Sequence, residues 1–220
     1  MAIKRRGSEV DATINQKKVD FKKAAIRLKE NESIRVRVLS ASDYVSYDSH
    51  GSYAKGIYTQ ACAGQDCPLC LAVKVGGEDY KDLAMKERYM FALADIDSGE
   101  VRFWDASKKQ AQKLIAQIKE YQEDLGEFAF NFKRTGTSTS TDYSLNLIPR
   151  LKKEDEPKFH KFDGETVEDS FFDAICQPKT PKFIVKLLKE AGFPVEAHFS
   201  AEMCEEDVAP VESGDETEQF

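Results

Sequence analysis

From Ser33 to Leu39 the chain alternates, with Ile34, Val36 and Val38 apolar and Arg35 and Arg37 between them. A period of two predicts a half-buried strand with guanidinium groups on its other face. Arg88–Ile96 and Glu100–Trp104 predict two further strands joined by a hairpin turn at Asp97-Ser98-Gly99. Ala111, Leu114, Ile115, Ile118, Tyr121 and Leu125 fall on one stripe at helical spacing. They predict a helix over 106–125, stopped by Gly126. Alternation returns through Phe128, Phe130 and Phe132, and again through Tyr143, Leu145 and Leu147. These runs predict strands over 127–134 and 142–149, separated by a Gly/Ser/Thr loop at 135–141. The tyrosine-rich stretch Asp43–Tyr58 reads as a loop, and Leu151–Lys158 is charged and irregular. Phe171–Cys176 and Lys182–Ala191 read as short helices, the second closed by Gly192 and Pro194. Short strands with one interposed helix predict a mainly β, α+β fold. A five-strand OB-fold-like small barrel over 31–150 fits best, with an accessory helical segment at 151–193.

Cysteine spacing adds a second element to this picture. Cys62, Cys67 and Cys70 form C-x4-C-x2-C, and His50 lies twelve residues upstream. Thiolates and imidazole are the ligands zinc prefers, and four of them close a tetrahedral structural site. The long loop Asp48–Asp66 holds little apolar material, so a metal would replace the core it lacks, and a zinc loop is predicted over 48–72. His160 and His198 are the other imidazoles available as a fourth ligand. Five cysteines, an odd number with three crowded together, fit a reducing compartment and a metal site better than a disulfide framework. Cys176 reads as a buried thiol and Cys204 as a tail thiol.

Charge is distributed unevenly. Glu190–Phe220 holds ten acids and no Lys or Arg, so of the formal net charge of −7 it carries −10 and leaves +3 on residues 1–189. So acidic and apolar-poor a segment is expected to be a disordered tail over 194–220. It reads either as a solubilising tail or as one that competes with a polyanion for the basic body. In the second case Asp215, Glu216, Glu218 and Phe220 would be offered to partner proteins. Residues 1–30 form a basic arm that opens with Lys4, Arg5 and Arg6. No apolar run follows those charges and none approaches a membrane span, so a cytoplasmic protein without membrane contact is expected.

Strands that carry cations beside rings make a platform for single-stranded nucleic acid, because bases stack on aromatics and cations hold phosphates. The candidates are Arg35, Arg37, Tyr44, Tyr47, Tyr53, Lys55, Tyr58, Lys86, Arg88, Tyr89, Phe91, Arg102, Trp104, Lys133, Arg134, Tyr143 and Arg150. Alternation sets Trp104 and Tyr143 opposite the apolar set or at a strand end, which makes them the better exposed rings. No phosphate-cradling glycine loop, nucleophile elbow or His-x-x-x-His pair is present, and a non-enzyme is expected. Asp95-Ile96-Asp97 is explained by a hairpin turn. The competing readings are a zinc-stabilised RNA-binding module, a metal-dependent nuclease or zinc hydrolase, and an acidic interaction scaffold.

With these residues in hand, the chain resembles the zinc-containing single-stranded-DNA-binding proteins of tailed bacteriophages, the T-even type in particular. Ser33–Leu39 is similar to that family's first barrel strand. His50, Cys62 and Cys67-Pro68-Leu69-Cys70 resemble its His-Cys-Cys-Cys zinc subdomain. Tyr89–Ala92, Val101–Trp104 and Lys108–Ile118 resemble its strand, strand and helix. The resemblance covers about Met1–Arg150, with a shorter first cysteine spacing and no counterpart for Leu151–Gly192. It implies binding of single-stranded DNA in replication, recombination and repair, with Tyr89, Trp104 and Tyr143 stacking on bases and Arg88 on phosphate. It also implies self-association on DNA through Lys4-Arg5-Arg6. The terminal Phe220 after acids looks like the tails by which other single-strand binders recruit replication and recombination proteins.

Overall fold

The computed structural model describes residues 21–204. The basic arm's Lys4, Arg5 and Arg6 and the tail's Asp215, Glu216, Glu218 and Phe220 lie outside the described residues. The chain forms two compact units, one from residues up to Ser49 together with Lys86–Gln177, the other from His50–Met85 together with the chain from Pro178.

The fold is α+β and rests on an antiparallel sheet of seven strands, β1 (Ser33–Arg37), β2 (Tyr44–Ser52), β3 (Ile57–Ala61), β4 (Lys86–Asp95), β5 (Glu100–Ala106), β6 (Ala129–Thr135) and β7 (Asp142–Ile148). Their order is β3-β2-β4-β1-β6-β7, and β5 pairs with β4. β4 organises the arrangement. β2 runs along its first half (Ser49↔Lys86 to Tyr44↔Phe91), and β1 continues beside its end (Arg37↔Ala94, Val36↔Asp95). β5 occupies the other side, from Tyr89↔Ala106 to Asp95↔Glu100. β1 also carries the β6–β7 hairpin, through Ile34↔Phe132 and Val36↔Phe130. The expected closed barrel is not formed, because no ladder joins β5 to β7 among the described residues.

The first unit buries both faces of this sheet. On one, Val36, Phe91, Leu93, Trp104, Phe130, Phe132 and Leu145 pack against Ala111, Leu114 and Ile118 of a helix. That helix spans Lys108–Glu120, shorter than its apolar stripe predicts, and residues 121–127 form turns. Its start is set by a capping box in which the Gln110 side chain accepts hydrogen bonds from both the backbone N–H and the hydroxyl of Ser107, each 3.0 Å. On the other face, Met90, Ala92, Ala94 and Ile96 meet Phe159, Phe162 and Phe172. Phe159 and Phe172 come from two short helices, Glu156–His160 and Asp169–Ile175, and Phe162 from the turn after the first. A strand covered on both sides has no reason to alternate, which is why Met90–Ala94 is apolar at every position.

The stretch predicted as a tyrosine-rich loop, Asp43–Tyr58, is instead mostly the hairpin of β2 and β3. Its polar residues interrupt the period that would have revealed a strand. The second unit extends well beyond the predicted zinc loop. Ile57, Leu69, Ala72, Tyr80 and Leu83 pack with Ile184, Val185, Leu188, Phe193 and Val195, so the loop does not lack a core. The helix Pro68–Val75 begins right after Cys67, and the helix Pro181–Glu190 supplies most of the distant half. In chain order the helices are α1 (Phe21–Ala24), α2 (Pro68–Val75), α3 (Lys108–Glu120), α4 (Glu156–His160), α5 (Asp169–Ile175), α6 (Pro181–Glu190) and α7 (Ala201–Cys204). No helix among the described residues is long and apolar enough to cross a membrane.

Candidate metal centre and candidate nucleic-acid surface

His50 enters the second unit on β2, Cys62 follows β3, Cys67 precedes α2 and Cys70 sits in its first turn. Proline at the first helical position suits this turn, since its missing N–H would be unpaired there anyway. The four ligand atoms lie within 4.8 Å of one another. Cys62 Sγ is 3.7 Å from Cys70 Sγ, far beyond a disulfide bond, and Cys70 Sγ is 3.4 Å from His50 Nε2. A tetrahedron with metal–sulfur bonds of about 2.3 Å and metal–nitrogen bonds of about 2.0 Å places its ligand atoms about 3.5–3.8 Å apart. The Cys62–Cys70 and Cys70–His50 separations match edges of such a tetrahedron, and the whole group is compact enough for one thiophilic ion.

The second layer agrees. The other imidazole nitrogen of His50, Nδ1, lies 2.7 Å from the carbonyl oxygen of Leu83. A proton on Nδ1 donates to that carbonyl and leaves Nε2 facing the sulfurs with a lone pair for a metal. Burial works against a charged His50, yet hydrogen bonding to Cys67, Leu83 and Cys62 outweighs it and raises the imidazole to about 9. For Cys67, burial opposes the thiolate, but hydrogen bonds from His50 and from the backbone at Ala63, Cys70 and Leu69 bring the thiol down to about 6. Burial, then the neighbouring Cys62 and Cys67, push Cys70 up to about 12. Without a cation, hydrogen bonding favours an imidazolium–thiolate pair of His50 and Cys67, and the Cys70 beside it resists ionisation. A divalent ion would relieve that resistance. His160 and His198 play no part in this group.

The sheet residues predicted to hold a polyanion tell a different story. Trp104 is 3% exposed and lies in the main core, its ring 4.7 Å from that of Tyr143 and 5.0 Å from that of Phe132. Its assignment as an exposed stacking ring is corrected, because α3 covers the face on which it stands. Tyr143 is half-buried and stacked on Phe132 at 5.5 Å. Tyr44 leans on Phe91, the Tyr47 hydroxyl donates to Asp105 at 2.9 Å, and that of Tyr89 donates to Glu87 at 2.6 Å.

Five of the candidate guanidinium groups are also occupied. Arg35 binds Asp97 and Asp155, the latter at 2.6 and 3.1 Å. Arg37 lies 4.3 Å over the Phe159 ring, donates to the Phe159 carbonyl and pairs with Asp163 at 2.6 Å. Arg88 pairs with Asp105 through two hydrogen bonds of 2.6 and 3.2 Å. Arg102 pairs with Asp95 at 2.9 Å, and Arg134 donates to the Leu28 carbonyl at 2.6 Å. Arg35, Arg37 and Arg88 are thus structural ties rather than open phosphate contacts. Asp155 and Asp163, which tie down the segment after β7, could not be picked out within a stretch that reads as charged and irregular. Lys86 is exposed, and Lys133 is half-buried on β6.

Among the predicted candidates, the rings that stand in solvent are Tyr53, 99% exposed, and Tyr58, 81% exposed. Both belong to the β2–β3 hairpin, Tyr53 at its turn and Tyr58 on β3. Lys55 lies between them in sequence, its ammonium 4.2 Å above the Tyr80 ring. Large apolar surfaces left this open are informative where buried ones are not.

The Arg35 network has a measurable consequence. Hydrogen bonds from Arg35 hold Asp97 and Asp155 below the ordinary carboxylate range, helped at Asp155 by a hydrogen bond from Lys158, and a hydrogen bond from Arg37 does the same for Asp163. A carboxylate with a depressed folded pKa contributes stability that is complete above the unfolded pKa of about 3.9 and is lost as pH falls through the folded value. Asp97 and Asp163 are exposed enough for water to screen them, so Asp155, 5% exposed, dominates. The Tm of the first unit should fall between pH 5 and pH 2. Asp155→Asn should begin several degrees lower at pH 7 and fall less on acidification. Parallel pH curves for the two chains would show that the network contributes nothing.

Compared with models of protein families and with curated proteins, the chain matches none.

Proposed function

We propose that this chain binds single-stranded DNA without sequence preference and without catalysis, through Tyr53 and Tyr58 on a hairpin anchored beside a structural zinc centre. The observation that carries the reading is the near-complete exposure of these two rings a few residues from a Cys3His group. Stacking on an aromatic serves any base, since every base has a π face. The cluster's soft ligands and closed coordination favour zinc in a structural role, held by His50, Cys62, Cys67 and Cys70.

The order of elements supports the same reading. If β1 and β2 count as one interrupted first strand, then β4, β5, α3, β6 and β7 follow in the sequence of an OB-fold, with β1 between β4 and β6. The proposal shifts the stacking rings from the sheet to the hairpin. The resemblance to phage single-strand binders extends the proposal to replication, recombination and repair, with Lys4-Arg5-Arg6 for self-association and the end of the acidic tail for recruitment.

Tyr53→Ala should weaken binding of a labelled oligo(dT) by about 1–3 kcal/mol, or roughly 5- to 150-fold in Kd at fixed salt. The slope of log affinity against log salt should stay unchanged, because no cation is removed. Trp104 fluorescence should not be quenched by direct stacking. Wild-type affinity in the Tyr53 variant, or no salt-dependent binding of oligo(dT) by the native chain, rules the reading out.

A further inference from the structure

The three cysteines of the Cys3His group are not equivalent. Cys67 is 4% exposed, whereas Cys62 and Cys70 are only half-buried. The Sγ atoms of Cys62 and Cys70 are 3.7 Å apart, and a disulfide would bring them to about 2.05 Å. Cys62 lies between β3 and a short turn at Gly64–Asp66, and the Gly64 N–H donates to its sulfur at 3.4 Å. It stands outside both β3 and α2, so its sulfur can approach Cys70 without distorting either element. Cys176 in the first unit differs, since the sulfur beside it is the thioether of Met90, at 3.9 Å, which cannot form a disulfide.

We propose that Cys62 and Cys70 are a site of reversible oxidative modification, joined as a disulfide by hydrogen peroxide while Cys67 stays reduced. Metal ligation requires all three sulfurs as thiolates, so access to the oxidant selects between them. One thiolate attacks a peroxide oxygen, the O–O bond breaks, and its sulfur becomes a sulfenic acid as hydroxide leaves. The other thiolate then attacks that sulfur, the S–O bond breaks, the S–S bond forms and a second hydroxide leaves. Each hydroxide takes a proton from solvent. Two thiolates, one peroxide and two protons thus give one disulfide and two waters, and two electrons pass from sulfur to oxygen. Only His50 and Cys67 then remain of the four ligands, too few to close a structural site. Oxidation would therefore release zinc, and reduction with zinc present would restore the group. The metal readout rests on the proposed zinc centre; nothing here depends on DNA binding.

The test uses the full-length native chain, since replacing a ligand can itself unfold the second unit. Hydrogen peroxide is added, zinc release is followed with a zinc-sensitive dye, and the remaining thiols are blocked with N-ethylmaleimide in denaturant. Cleavage before aspartate separates 48–65, which carries Cys62, from 66–78, which carries Cys67 and Cys70. The expected product is these two peptides joined by a disulfide, with the maleimide on Cys67. It should form in step with zinc release and be reversed by a phosphine reductant and added zinc. A Cys67–Cys70 bridge within 66–78, a Cys62–Cys67 bridge, a disulfide between two copies, or sulfinic acids without any bridge would overturn the proposal. A chain that forms the Cys62–Cys70 bridge but carries no zinc beforehand would support this pairing and refute the structural zinc instead.

Discussion

A chelator should unfold the second unit and leave the first standing if the Cys3His group holds the proposed zinc. That unit is built from roughly 60 described residues in two separate pieces, a size at which an apolar core alone supplies only a few kcal/mol. A structural tetrahedral zinc contributes on the order of 10 kcal/mol of apparent folding free energy at neutral pH. Its loss should therefore outweigh the packing of Leu69, Leu83, Val185 and Leu188. Hydrogen exchange should show loss of protection in 50–85 and 178–204, with 86–135 still protected, and readdition of zinc should restore it. Cys67→Ser should do the same without chelator. It removes a ligand and leaves the buried His50 imidazole facing a weaker partner. A purified chain with no stoichiometric metal, or one whose second unit keeps its protection in chelator, would rule out a structural ion.

The second large effect is expected at Trp104. Its ring fills the space between Phe91, Phe132 and Tyr143, with centroids 5.6, 5.0 and 4.7 Å away. Trp104→Ala leaves a cavity there and should cost about 3–5 kcal/mol in chemical denaturation, a large share of a domain's total stability. Trp104→Phe keeps most of the volume and should cost much less. The same substitution to alanine would be nearly neutral to folding if the ring stood on the surface, so this measurement separates a core role from a binding role directly.

The contrast between Trp104 and the cysteines shows what can be read from the chain before folding. Ligand chemistry is local. His50, Cys62, Cys67 and Cys70 are recognisable because metal ligands must be particular side chains at short spacing, and the structure brings all four together. The strands β1, β4, β5, β6 and β7 were equally legible where at least one face alternates. Burial of Trp104 was not, because it depends on which face α3 covers. In β5 the set Val101 and Phe103 and the set Trp104 and Ala106 are both plausible core faces, and in the fold both are packed. The arginines of β1 were misread for a related reason. Alternation places Arg35 and Arg37 away from the main core, but cannot reveal that Asp155, Phe159 and Asp163, more than a hundred residues later, return to cover that face. The β2–β3 hairpin was hidden because Ser46, Asp48, Ser49 and Gly51 break its apolar period, and with it the exposure of Tyr53 and Tyr58.

His50, Cys62, Cys67 and Cys70, the proposed zinc ligands, lie in the first third of the chain, while α6, which packs with them, comes more than a hundred residues later. At roughly 5–20 residues per second, a ribosome exposes all four ligands several seconds or more before it has made Ile184, Val185 and Leu188. During that interval an ion captured from the surrounding pool would hold the nascent hairpin and α2 together. Cellular zinc supply during translation, rather than after release, would then decide how many copies are completed correctly.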